Sequence, residues 1–198
     1  MMTNAGDHLW GIEFDPTALV ESIQNKMIDS IAIPDTALEE FELPRRLNPK
    51  SIGIITGNGP DSGMALWQDI NESIAETLRD HFIGDISLPK VYVVSVPAMG
   101  LSMELDQREE VTWDALSEAV EQLTNLDVEI LALACNTTHY FTKKIRALFE
   151  GNGRKFISMP EVVIRYIAEN NIKELALLGI NYVADLGYWS AYSELKIY

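Results

Sequence analysis

The chain has 198 residues, 47% of them hydrophobic, and a formal net charge of −15. That length and apolar content allow a buried core in one domain or two small ones, which excludes a wholly disordered chain. The acidity argues against nucleic acid as a partner, because phosphate backbones select basic faces, and no apolar run approaches the roughly 20 residues of a membrane span.

The segment Met1 to Asp7 lacks a basic stretch followed by an apolar core, so a secretory signal is not supported and a cytoplasmic setting is expected. A single cysteine cannot form an internal disulfide, in keeping with a reducing compartment. Residues 1–49 carry one amphipathic stretch, Thr17 to Ile28, and then a proline-punctuated segment from Ile33-Pro34-Asp35 to Leu43-Pro44-Arg45-Arg46. They read as an N-terminal extension that packs on the main domain.

From Lys50 onward short apolar runs alternate with long helical patterns. Ser51 to Thr56 reads as a strand, and Pro60 to Phe82 as a helix with Leu66, Ile70, Ile74 and Leu78 on one face. Lys90 to Val96 is a second strand, followed by a helix from Gln107 to Leu123 that carries Trp113, Leu116, Val120 and Leu123 at helical spacing. Glu104, Asp106, Glu109, Glu110, Asp114 and Glu118 mark a solvated acidic face. Val128 to Ala134 is the third strand and Thr138 to Phe149 the third helix. The short strand Lys155 to Met159, a helix Pro160 to Glu169, a strand Glu174 to Gly179 and a helix Val183 to Glu194 complete the pattern. Leu195-Lys196-Ile197-Tyr198 reads as the start of another strand, as in a protein that continues further.

Strands alternating with helices of this length imply an α/β fold with a mostly parallel sheet covered on both faces. In such sheets ligands collect at the carboxyl ends of the strands. Two loops follow such ends, Thr56-Gly57-Asn58-Gly59-Pro60 and Cys135-Asn136-Thr137-Thr138, and the site is expected between them.

In the first loop Gly57 and Gly59 permit positive φ and a close approach of backbone to ligand, and Pro60 suits the first turn of a helix. Helix-start N–H groups there can hold a carboxylate or a phosphate, but a tight strand-to-helix turn explains the same residues. The pattern is neither a P-loop, lacking the Gly-Lys-Ser/Thr ending, nor a dinucleotide fingerprint, since its third glycine is misplaced. In the second loop Cys135 reads either as a small buried hydrophobe or as a reactive thiol, because a strand end before a helix start favours thiolate. Asn136, Thr137 and Thr138 offer donors suited to a carboxylate. His139 can assist proton transfer or simply pack beside the site. The three histidines, His8, His81 and His139, lack metal-ligand spacing, and no metal site is expected.

Three segments together resemble the successive motifs of the aspartate/glutamate racemase family: Ile52 to Pro60, Leu133-Ala134-Cys135-Asn136-Thr137-Thr138-His139, and Glu174 to Gly179. The resemblance covers residues 50–198, with the Cys-Asn-Thr-Thr-His motif its most specific part. It implies a flavodoxin-like α/β domain over residues 50–170 and the start of an incomplete second α/β domain over 171–198. It implies cofactor-independent chemistry, without pyridoxal phosphate or metal, in which two cysteines exchange the α-proton of aspartate or glutamate on opposite faces. Carried over, Cys135 is one catalytic thiol, Asn136 and Thr137 bind the substrate carboxylate, and Asn58 lines the pocket.

The sequence also departs from that pattern. The family's second cysteine has no counterpart here, and Ile180, Asn181 and Val183 stand where relatives place hydroxyl-bearing threonines. The first loop reads Thr-Gly-Asn-Gly-Pro rather than Gly-Gly-Met-Gly-Pro, and the nearest candidate for a substrate arginine is Arg108. Racemisation by this chain alone is therefore not expected. The alternatives are a single-thiol decarboxylase of malonate-like acids and a binding module that keeps the fold without catalysis. The resemblance also implies a homodimer, and apolar surface near Leu175 to Ile197 would encourage association.

Overall fold

A computed structural model of the chain describes residues 50–197. The amphipathic stretch Thr17 to Ile28 and the rest of the expected extension, residues 1–49, lie outside the described residues.

Four strands, β1 (Ile52–Thr56), β2 (Val91–Ser95), β3 (Ile130–Leu133) and β4 (Lys155–Ile157), form one parallel sheet in the order β2-β1-β3-β4. The long helices are α1 (Pro60–Leu78), α2 (Leu105–Asn125), α3 (Thr142–Phe149) and α4 (Met159–Glu169), with one short turn of helix, α5 (Asn181–Ala184). This is the expected α/β class, and its strand order is that of the first four strands of a flavodoxin-like sheet.

The period of two along each strand divides the core. Ile52, Ile54, Ile130, Ala132 and Ile157 face α1 and α4, meeting Leu66, Ile70, Ile74, Met159 and Val162. Ile55, Leu131, Leu133 and Phe156 face the other way, toward Leu116, Val120 and Leu123 of α2 and Ile145 and Phe149 of α3. A sheet buried on both faces explains why β1 and β3 are nearly uniform apolar runs.

Two expected elements take another form. Glu174 to Gly179 is not a strand: it joins no ladder of the described sheet. Its alternation is satisfied by packing instead, since Ile172, Leu175 and Leu177 rest against Ile167, Val183, Tyr192 and Leu195. The helix expected over Val183 to Glu194 is only α5 and a late 3-10 turn, Ser193–Ile197. The break is local, because Asp185 Oδ1 accepts the Gly187 N–H at 2.7 Å and Leu186 adopts φ 53, a left-handed conformation that ends a helix. The third helix begins as a 3-10 turn, Thr137–Phe141, before α3 proper.

Gly63, inside α1, is where helix and sheet come closest. A Cβ there would lie 2.5 Å from Thr56 Cβ, and Thr56 is fixed at the strand end with its hydroxyl donating to Gly59 O at 3.2 Å. Alanine gains roughly 1 kcal/mol of helix propensity over glycine, but overpacking a fixed side chain costs about 1–3 kcal/mol. Gly63→Ala is therefore expected to lower the urea midpoint, by about 1 kcal/mol of net stability with an unchanged m-value. A rise in the midpoint would show that Thr56 can yield.

Candidate active site

The parallel register of β1 against β3 aligns Ile54 with Ala132 and Ile55 with Leu133. Beyond the last pair, Ala134 N–H still donates to Ile55 O at 2.9 Å, so the chains leave the sheet side by side. Thr56 O in turn accepts the Val96 N–H at 2.7 Å, closing the β2 side. Strand order reverses between β1 and β3, because the chain moves outward in one direction to β2 and in the other to β4. The crevice at such a switch point is where open parallel sheets bind ligands.

Gly57 makes the first turn possible. Its φ is 137, and a Cβ would fall 2.3 Å from Val96 O, so only glycine fits against that carbonyl. Gly59, with φ 89, precedes α1 as its N-cap residue and supplies no capping side chain. Asn58, between the two, is half-buried. One N–H of its carboxamide reaches Ser102 Oγ at 3.2 Å and the nitrogen also lies 3.7 Å from Cys135 Sγ, within hydrogen-bonding range of sulfur. Ser102 is fully buried on the 3-10 segment Pro97–Glu104 that follows β2. Three loops thus converge on the thiol, which is 7% exposed.

The second loop is held by its own backbone. Cys135 O accepts from Thr138 Oγ1 at 3.3 Å and from His139 Nδ1 at 2.7 Å. His139 Nε2 lies 3.2 Å from the Met159 N–H, which can only donate. Nε2 must therefore be the acceptor and Nδ1 must carry the proton. The ring stacks on Phe156 and is 1% exposed. It satisfies one of the first N–H groups of α4 and at the same time holds the carbonyl of Cys135. Burial pushes its pKa down from 6.5 to about 4, opposed by its bond to Cys135 O and by Glu161. Both ring nitrogens are engaged by backbone, so the geometry gives His139 a supporting position.

Other expected site residues are distributed around this centre. Asn136 is exposed, with its Oδ1 2.6 Å from Tyr192 OH, while Thr137 and Thr138 are buried. Arg108 interrupts α2 with non-helical angles of φ −123 and ψ 18 and lies exposed, paired with Glu104 at 3.4 Å rather than with the Cys135 loop. Among the described residues no cluster of three or more His, Cys, Asp or Glu side chains is placed to hold a metal ion, and no helix is long and apolar enough to cross a membrane.

Three residues escaped the sequence reading. Ser62 Oγ lies 2.7 Å from Gly59 O and 2.9 Å from Ala134 O, so its single proton is shared between the two loops. Ser102 carried a signal, since a hydroxyl inside the apolar run Met99 to Met103 must find a partner if buried. Tyr192 carried none, being 56 residues from the asparagine it meets.

No protein-family model matches the chain, and no curated protein matches its sequence. Solved structures do resemble it. A candidate Asp/Glu racemase from Yersinia pestis superposes with a TM-score of 0.56 at 21% identity, over 71% of this chain and 58% of that one. An aspartate racemase homologue from Pyrococcus horikoshii OT3 gives 0.46 at 22% identity, over 61% of this chain and 50% of that one. The likeness to the Yersinia protein is one of fold, and the match spans little more than half of that protein's length.

The buried, neutral His139 couples the loop to pH. Its folded-state pKa lies below its unfolded value, so the unfolded chain binds the proton first and stability is lost as pH falls from 6.5 toward 4. The wild type is expected to lose about 3 kcal/mol over that interval that His139→Gln does not lose, read from urea unfolding at each pH. Parallel pH profiles would place the proton elsewhere.

Proposed function

We propose that the carboxyl edge of β1 and β3 binds a small acidic amino acid, aspartate or glutamate, and that Cys135 moves its α-proton without a cofactor. The supporting observation is the meeting of Asn58 Nδ2 and Cys135 Sγ, 3.7 Å apart, at the switch point of the sheet. The Asp/Glu racemase fold is consistent with it.

The chemistry follows from what proton abstraction beside a carboxylate requires. A thiolate takes the α-proton, and the electron pair left on carbon delocalises into the carboxylate, whose growing charge needs nearby donors. Asn136, Thr137 and the uncapped start of α1 after Gly57-Asn58-Gly59 are the donors in this reading. Thr138 and His139 hold the loop through the carbonyl of Cys135. Inversion needs an acid on the opposite face as well, and the chain has one cysteine. On its own it therefore serves one face. That same count favours a second reading, decarboxylation of a malonate-like acid, in which carbon dioxide leaves and the thiol protonates the carbanion left behind.

Because Cys135 is the only cysteine, mass spectrometry reads its alkylation directly. L-Aspartate or L-glutamate is expected to slow carbamidomethylation by iodoacetamide at least several-fold at saturation, whereas acetamide does not. In deuterated water L-aspartate should not accumulate the D-isomer. Alkylation indifferent to either acid would remove the proposal, and protection by malonate with release of carbon dioxide would favour the second reading.

A further inference from the structure

Tyr192 joins the last described segment to the residue that follows Cys135. Its ring is 3% exposed and packs with Ile167, Val183 and Leu195. Its backbone is fixed as well, since the Tyr192 N–H donates to Ser190 Oγ at 3.2 Å and that hydroxyl donates to Val183 O at 2.7 Å. The phenol is therefore delivered from a packed support, and its oxygen stands 2.6 Å from Asn136 Oδ1.

The polarity of this contact is determined. Burial raises the Tyr192 phenol above its ordinary pKa, so it keeps its proton at neutral pH. A carboxamide oxygen can only accept, so Tyr192 donates. The terminal torsion of an asparagine is broad and nearly two-fold, and one strong bond is enough to select one of its two orientations. With Oδ1 held by Tyr192, the Nδ2 group occupies the other side of the amide, on an exposed residue next in sequence to the thiol.

We propose that Tyr192 is a positioning residue which, by holding Asn136 Oδ1, commits the Asn136 amide to act as a donor to the carboxylate of a ligand bound beside Cys135. The inference rests on the reading of this edge as an acidic amino-acid site. Without the phenol the amide turns freely and presents its oxygen to the carboxylate part of the time, which repels it.

Tyr192→Phe keeps the buried ring and removes only the donor. Each variant's protection constant is measured as the L-aspartate concentration that halves its own rate of alkylation by iodoacetamide. Tyr192→Phe is expected to need about three- to tenfold more L-aspartate, the loss of one positioned hydrogen bond. Asn136→Asp keeps the acceptor for Tyr192 but replaces the donor with a charge, and is expected to weaken protection at least as much. In an Asn136→Ala background, Tyr192→Phe should have no further effect, because the tyrosine acts through the asparagine. A role in packing alone would leave protection unchanged, or would weaken it equally in both backgrounds, and either result overturns the proposal. Failure of the underlying reading looks different: L-aspartate would then protect neither the wild type nor any variant, and the proposal would fall with it.

Discussion

The candidate site depends on the parallel pairing of β1 with β3. The two strands run in register from Ile52 with Ile130 to Ile55 with Leu133, so their loops leave the sheet together. The flanking strands lie to opposite sides of this pair, β2 beside β1 and β4 beside β3, which is the switch point at which open parallel sheets bind ligands. Gly57, Asn58, Cys135 and Asn136 are neighbours for that reason. A shift of one residue in the pairing would turn one strand over relative to the other, and for β1 it would bring a bulky side chain to the place of Gly53, where even a Cβ would lie 2.9 Å from Leu123. The paired, buried residues Ile54, Ile55, Ala132 and Leu133 anchor this register and with it the placement of the thiol.

Around that constraint the polar groups serve the backbone before any ligand. Thr138 and His139 converge on one carbonyl, that of Cys135, and His139 also takes the first N–H of α4. Left unpaired in the interior, each such group would cost about 1–3 kcal/mol, comparable with a large fraction of a domain's net stability. Ser62 ties the Gly59 and Ala134 carbonyls on the other side. The groups that the proposed reading leaves for a ligand are few: the exposed amide of Asn136, the buried Thr137 and the start of α1.

Much of this was legible because it is local. The apolar runs and helical spacing identify β1 to β4 and α1 to α4 within a few residues, and the two loops announce themselves by Gly57, Gly59 and the polar residues after Cys135. The remainder is set by contacts distant in sequence. Leu175 and Leu177 alternate as a strand would, but packing against Val183 and Tyr192 uses their side chains without pairing their backbone. Tyr182, just before the helix expected over Val183 to Glu194, donates to Asp106, and Tyr192, within it, donates to Asn136; no spacing rule reveals either partner. His139 was open to two roles, and only its two backbone partners identify which atoms it engages.

The central claim is that an acidic amino acid binds where β1 and β3 end. Titration of the ¹⁵N-labelled chain with L-aspartate, followed through backbone amide shifts, tests it most directly. The account predicts saturable shifts concentrated at Gly57, Asn58, Gly59 and Asp61 and at Cys135 to Thr138. Saturable shifts confined to the amino ends of the strands or to the outer faces of α2 and α3, with those two loops silent, would contradict it.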